Sequence, residues 1–592
     1  MSIINMRLVL LGVLSALLFG CGGGGGGGGG SSTPASTTIS GTAAAGAPVV
    51  GIVTIRDSSN PVKEKTAPID STGKYTVDVA GMTGPFMLRA EGAVAGRHYS
   101  IYSGALQSDA GGTINITPLT DLVMSNIAGQ IAANLFANNA DYASSITAAN
   151  LQTEQEELRA LLLPVLTNLG LSATVDLLRI TFNANHTGFD ALLDALRVTI
   201  DPATASALIT NIMNQTSTTD SFAVADAATS LEGDGTASGL SEADQISAQF
   251  KALTDAFATA LPSAASLLPL FDQTDAPTFL SEGQSLSELL TEITTNPRFV
   301  GIKFTNVAID ELTTTAFPYS AKVRFDVIRP GSAGGHDALR MLLSKENSTA
   351  NWLLQGDQRV GAAFINAIAQ SSPTNSGCNP GIKSGIWLNV DAPADLNVNY
   401  AIVKGPGLPL GGVLLAKIVN QDRFGVMDGA SYNGVNTAII CNHNRYFIDD
   451  TQIASVPDNA EYTIKLFDDL NTLPNMSDDV VLHTYTSTLS KAPLPSTQLS
   501  AANFATLTGS NLAAIAVSGG TLNVTWTLPA NMFMKIVHVF RPNASGHVTD
   551  EFSVPATATS LSKPIEAAPG TVSSGTNLLA VDNFGREFAT HP

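Results

Sequence analysis

Apolar residues recur along this chain at two different periods, and the changes of period divide it into segments. Over residues 39–116 the period is two. Tyr75, Val77 and Val79 share one face of the run Gly73 to Val79, and Pro85 to Ala90 reads as a further strand. Between Ile39 and Ile55, short apolar runs are punctuated by Gly41, Gly46, Pro48 and Gly51. At Thr117-Pro118 the period lengthens. Threonine is a good N-cap and proline suits the first helical position, so a helix is predicted to open there. Leu119, Val123, Ile127, Ile131 and Leu135 follow on one ridge. Further helices are predicted over 158–169, kinked by Pro164, and over 189–196, with a short hairpin over 198–212 turning at Asp201-Pro202. Residues 117–215 therefore read as a mainly helical domain. Residues 216–239 are Ser, Thr, Gly and acidic without a period, which predicts a linker.

A capping-box pattern, Ser241-Glu242-Ala243-Asp244, precedes a helical face of Ile246, Phe250, Leu253, Phe257 and Leu261. A second helix is predicted over 285–295. Strands follow over 299–309, 321–328, 340–343 and 351–360, and Ala321 to Val327 alternates strictly. Helices followed by antiparallel strands make 240–372 an α+β domain. Its order is similar to the cone-shaped folds of the nuclear-transport-factor-2 type. From 375 to 485 the pattern is β again, with strands over 385–390, 398–404, 413–419, 437–441 and 462–466. Residues 495–592 close the chain with a third β-rich segment. There Leu522, Val524 and Trp526 recur at period two while Thr521, Asn523, Thr525 and Thr527 face the other way. The fold class is thus multidomain and mainly β, with β-sandwiches at both ends and a helical and an α+β domain between them.

Two segments resemble known modules. Gly46-Ala47-Pro48-Val49-Val50-Gly51-Ile52-Val53-Thr54-Ile55, then Asp70-Ser71-Thr72-Gly73-Lys74-Tyr75-Thr76-Val77, then the strand at Pro85-Phe86 resemble the carboxypeptidase-regulatory-like, transthyretin-like β-sandwich. Gly520 to Pro529, with its Trp526 followed shortly by Pro529, resembles the second strand of fibronectin type III domains. The first resemblance implies a structural or binding module and is uninformative about activity; the second implies a β-sandwich.

The start of the chain gives an address. Arg7, the apolar run Leu8 to Phe19 and a small residue at Gly20 form a secretory signal pattern over 1–20. The apolar run is too short to span a bilayer, which takes about 20 residues. Leu18-Phe19-Gly20-Cys21 resembles the lipobox of bacterial lipoproteins, which implies acylation of Cys21 and anchoring to the membrane through its lipid. The resemblance also implies the outer membrane, because Gly22 stands where an aspartate marks inner-membrane retention. Residues 21–38, with glycine at every position from Gly22 to Gly30, are a flexible tether whose average span is about 20–25 Å.

Composition narrows the classes of function. The net charge of −20 in 592 residues argues against nucleic acid, whose phosphates need Lys and Arg. Besides Cys21, only Cys378 and Cys441 occur, and in an oxidising compartment they are expected to form a disulfide worth about 4 kcal/mol. No chemistry-bearing motif stands out. The eight histidines (His98, His186, His336, His443, His483, His538, His547 and His591) show no close ligand spacing and read as surface or strand residues, so no metal and no cofactor is expected. There is no GxSxG, Walker A, GxGxxG or EF-hand loop. Ser560-Leu561-Ser562-Lys563 matches SxxK inside a strand, as a Ser-rich chain does by chance. Ser332, His336 and Asp337 invite a triad that their spacing does not support. The doublets Asp449-Asp450, Asp468-Asp469 and Asp478-Asp479 read as turn residues before they read as calcium ligands. No catalytic residue is assigned. The expected work is binding or scaffolding toward a polysaccharide, a protein partner or another envelope component. The rivals are an envelope hydrolase with its pocket in 240–372, which polar residues on the concave face of that domain would favour, and a plain spacer.

Overall fold

The computed structural model describes residues 37–222, 229–273, 279–330, 338–373, 379–393, 396–418, 423–427, 444–472, 475–543, 546–571 and 573–591. Cys21, Cys378, Cys441, the Ser332–His336–Asp337 group and the strand expected over 437–441 lie outside the described residues. The architecture is mainly β, with seven sheets among the described residues.

The first sandwich sets the strands Thr38–Thr42 and Lys74–Asp78 against a sheet of Glu64–Ile69, Val50–Arg56, Phe86–Val94 and Arg97–Ala105, in that order. The alternation read from the sequence is that of the structure: Tyr75 and Val77 are buried among Ile39, Val53, Phe86 and Leu88. The opposite face of the larger sheet is covered as well. Met87 and Tyr102 point into a second core built by the helices Pro118–Ala128, Ala132–Ala137, Ala148–Asn168 and Phe189–Ala195. Thr117 caps the first of these helices by accepting from the Thr120 backbone N–H at 3.2 Å. That helix ends at Gly129, which takes the left-handed conformation (φ 61°), so the ridge expected to run unbroken to Leu135 is split between two helices.

Residues 196–221 form three antiparallel strands, Leu196–Asp201, Ser206–Asn211 and Thr216–Ser221. The third falls in the stretch expected to be a linker. It is a polar edge strand (Thr-Ser-Thr-Thr-Asp-Ser), so no apolar alternation marks it. The next helix, Thr236–Phe257, also begins within that stretch, one turn before the Ser241 pattern. A capping box does open a later helix, Leu286–Thr295, where Ser285 and Glu288 satisfy each other's backbone.

Lys303–Thr313, Tyr319–Ile328, Ala338–Lys345 and Leu353–Gly356 form a four-stranded antiparallel meander. Its face toward helix Thr236–Phe257 is filled: Ile246, Phe250, Leu253 and Phe257 pack with Val323, Phe325, Leu343 and Trp352, and the Phe250 and Phe325 rings lie 4.6 Å apart.

Strand Ala363–Ser372, which the sequence pattern leaves at the end of the α+β segment, belongs to a different sheet. It pairs with Gly381–Val390 on one side and, in parallel, with Glu587–Thr590 near the end of the chain. The resulting sheet has seven strands: Arg445–Phe447, Gly381–Val390, Ala363–Ser372, Glu587–Thr590, Gly575–Asp582, Met532–Asn543 and Gly546–Ser553. Two smaller sheets cover it side by side. Five strands of residues 400–489 bury Tyr462, Ile464 and Leu466 against Ile365, Ile386 and Leu388. Three strands, Thr506–Ser510, Gly520–Thr527 and Ser560–Ile565, bury Leu522, Val524 and Trp526 against Val537, Val539 and Leu578. Residues 37–591 make one compact body. No helix among the described residues is long and apolar enough to cross a membrane.

Candidate functional site

The most concentrated chemistry among the described residues lies around the short helix Phe189–Ala195. Asp190 and Asp194 are four residues apart and therefore share a helix face. His186 precedes the helix by one more step of four. Its backbone is held at φ 64°, in the left-handed region, while the Asp190 Oδ2 accepts its backbone N–H at 2.7 Å. This brings the His186 Nδ1 within 3.0 Å of the Asp194 Oδ2. One ligand atom from each of the three residues lies within 4.8 Å of the others. Asp190 is fully buried, and its Oδ1 has no hydrogen-bond partner.

The electrostatics follow from the burial. The hydrogen bond to Asp194 is the main reason the imidazole of His186 is pushed up to about 9. Desolvation pushes Asp194 up to about 6 and raises Asp190 as well. Beside the cluster is a cavity of about 90 Å³ whose walls include Arg97, Tyr99, Asp194, Arg197, Asp244 and Arg324. That volume admits several waters or a hydrated ion. The histidines were expected to be bland. The His-x3-Asp-x3-Asp spacing of this one was present in the sequence and carried the signal.

A second polar cluster surrounds the Ala95-Gly96 turn of the first sandwich and the start of the strand Arg97–Ala105 that follows it. Arg324 donates to the Ala95 carbonyl at 2.8 Å, and Ser490 Oγ donates to that of Gly96. Asn459 exchanges two hydrogen bonds with the backbone of His98, at 2.8 and 2.7 Å. The imidazole Nε2 of His98 lies 3.0 Å from Lys491 Nζ, which also binds Asp458 at 2.8 Å. Burial, then the charge of Lys491, brings His98 down to about 4. A third cluster sits on the seven-stranded sheet, where Arg445 donates to Gln370 at 2.6 Å and lies 2.9 Å from His591 Nε2.

The remaining sequence candidates are dispersed. Asp449 caps helix Asp450–Ala454, and Asp450 accepts from the backbone and hydroxyl of Ser496, both at 2.7 Å. Asp468 and Asp469 accept backbone N–H groups of their own turn. Asp478 accepts from Thr472, and Asp479 from Tyr400. Ser560 and Lys563 sit three apart in one strand and so face opposite sides.

No protein-family model matches this sequence, and no curated protein does. Solved structures to which the chain is similar include the FN1–FN3 domains of chicken CNTN1, at 10% identity and a TM-score of 0.14 over 48% of this chain and 93% of that one. Another is a tetra-tandem repeat in the extending region of a large adhesion protein, at 10% identity and a TM-score of 0.13 over 94% and 97%. A third is domains A168–A170 from titin, at 14% identity and a TM-score of 0.11 over 48% and 97%. At these scores the likenesses carry no argument about what the chain does.

Proposed function

We propose that this protein is an outer-membrane lipoprotein, anchored through acylated Cys21, that acts as a binding or scaffolding module for a polysaccharide, a protein partner or another envelope component. In this reading residues 39–116 are a carboxypeptidase-regulatory-like sandwich and residues 495–592 a fibronectin type III-like unit. The observation that favours binding over hydrolysis is the filled face of the four-stranded sheet. Phe250, Phe257, Phe325 and Trp352 occupy the space where a hydrolase of this layout would hold its pocket. Exposed apolar side chains also gather at one sheet edge. Val480, Val481 and Leu482 open the edge strand Val480–Leu489 at 36–44% exposure. Apolar edges of this kind mark association surfaces. Two experiments test the reading. Cys21→Ser should move the protein from the membrane to the soluble fraction of a Gram-negative host, and equal partitioning of variant and wild type sinks the anchor. Crosslinking in the native outer membrane should then recover the same envelope component repeatedly with the wild type and lose it with Val481→Lys; recovery of no specific component sinks the binding function.

A further inference from the structure

We propose that His186, Asp190 and Asp194 form a binding site for a divalent transition-metal ion of the zinc class, held by one imidazole nitrogen and two carboxylate oxygens. The three side chains are brought together by the turn that leads into helix Phe189–Ala195. A histidine at positive φ is uncommon, and here the Asp190 carboxylate fixes it by accepting the His186 N–H. The consequence is that Nδ1 turns toward Asp194.

The independent sign of a ligand is Asp190 itself. A carboxylate with no exposed surface normally has both oxygens satisfied, because an unpaired buried charge is costly. Asp190 Oδ2 accepts the His186 N–H, and apart from the weaker approach of the Asn185 backbone the carboxylate has no other donor, Oδ1 having none in good hydrogen-bond geometry. The imidazole of His186 is already engaged by Asp194 and offers Asp190 Oδ1 no partner. A metal ion would supply the missing positive charge and the missing partner together.

The donor set selects the class of ion. Imidazole suits zinc, copper, iron and nickel, whereas calcium and magnesium take oxygen ligands. Three protein ligands leave a position open, and the adjoining cavity supplies room for water at it. Asp244 lines that cavity from helix Thr236–Phe257, together with Arg97, Arg197 and Arg324, of which Arg197 and Arg324 pair with Asp310.

The test loads the full-length chain, purified without a histidine tag, with Zn²⁺ and counts bound metal after dialysis. Co²⁺ loading reports the ligands through its visible d–d bands. The expected result is one ion per chain in the wild type. Asp190→Asn and His186→Gln should each weaken Zn²⁺ at least tenfold and change the cobalt spectrum, while His483→Gln, in a distant strand, should bind like wild type. Asp190→Asn keeps the buried shape, and His186 is partly exposed (37% for its side chain), so at least one variant stays folded by circular dichroism. A wild type that retains no Zn²⁺, variants that bind as the wild type does, or a site that takes Ca²⁺ in preference to Zn²⁺ overturns the proposal.

Discussion

At the scale of single residues, Trp526 shows how far period-two alternation reaches. Leu522, Val524 and Trp526 are 0–2% exposed, while Thr521, Asn523, Thr525 and Thr527 between them face solvent. Trp526→Ala should cost about 3–5 kcal/mol, the usual range for a large buried aromatic. The measurement belongs in the full-length chain. A fragment from residue 495 onward would leave Glu587–Thr590 without its parallel partner, Ala363–Ser372. A midpoint of chemical denaturation that does not move would place Trp526 outside the core. His186 shows the opposite case. Its spacing to Asp190 and Asp194 is plain in the sequence, but a four-residue step means a shared face only on a helix, and His186 lies before the helix begins. The left-handed turn that completes the cluster leaves no periodic trace.

At the scale of elements, amphipathic helices and buried strands were legible and polar edges were not. Burial on one face writes a period into the sequence, and Thr216–Ser221, half exposed throughout, has none. Helix Ala148–Asn168 adds a second lesson. Pro164 lacks the N–H that would bond to the carbonyl four residues earlier, yet the helix runs on to Asn168. The segment that follows the three-stranded sheet docks at this place. Leu231 N–H donates to the Leu161 carbonyl at 2.9 Å, and a Cβ at Gly233 would lie 2.2 Å from the Pro164 carbonyl oxygen. Gly233→Ala should therefore push the docking segment off the helix and destabilise the body by about 1–3 kcal/mol, as overpacking does. Thermal unfolding followed by circular dichroism checks it, and an unchanged transition would mean that the segment yields freely.

At the scale of the whole molecule, the pairing of distant segments is what the sequence does not carry. The seven-stranded sheet joins residues 363–390 to residues 532–590, and a parallel pairing across more than 200 residues leaves no local mark. The Ala95-Gly96 turn, with the start of the strand after it, is a second such junction, since it meets Arg324, Asn459, Ser490 and Lys491 from distant parts of the chain. This junction should make the assembled body sensitive to acid. Neutral His98 accepts from Lys491 at Nε2; protonated, it would set two cations 3.0 Å apart in a buried place. Burial and Lys491 lower its pKa from 6.5 to about 4 in the folded protein, whereas the unfolded chain keeps the ordinary value. The unfolded state therefore binds more protons across this window. The contribution of neutral His98 is fully present above about pH 6.5 and is lost as the pH falls toward 4. At about 1.4 kcal/mol per pKa unit, the whole loss is up to roughly 3 kcal/mol. His98→Gln retains an acceptor for Lys491 and cannot titrate. Carboxylates remote from the junction and His591 act alike in both proteins, so the difference in stability between them isolates His98 together with its neighbour Asp458. Denaturant titrations should show that difference constant above pH 6.5 and moving in favour of the glutamine variant as the pH drops toward 4. A difference that stays flat over the whole range would mean that His98 accepts its proton in the folded protein as readily as in the unfolded one.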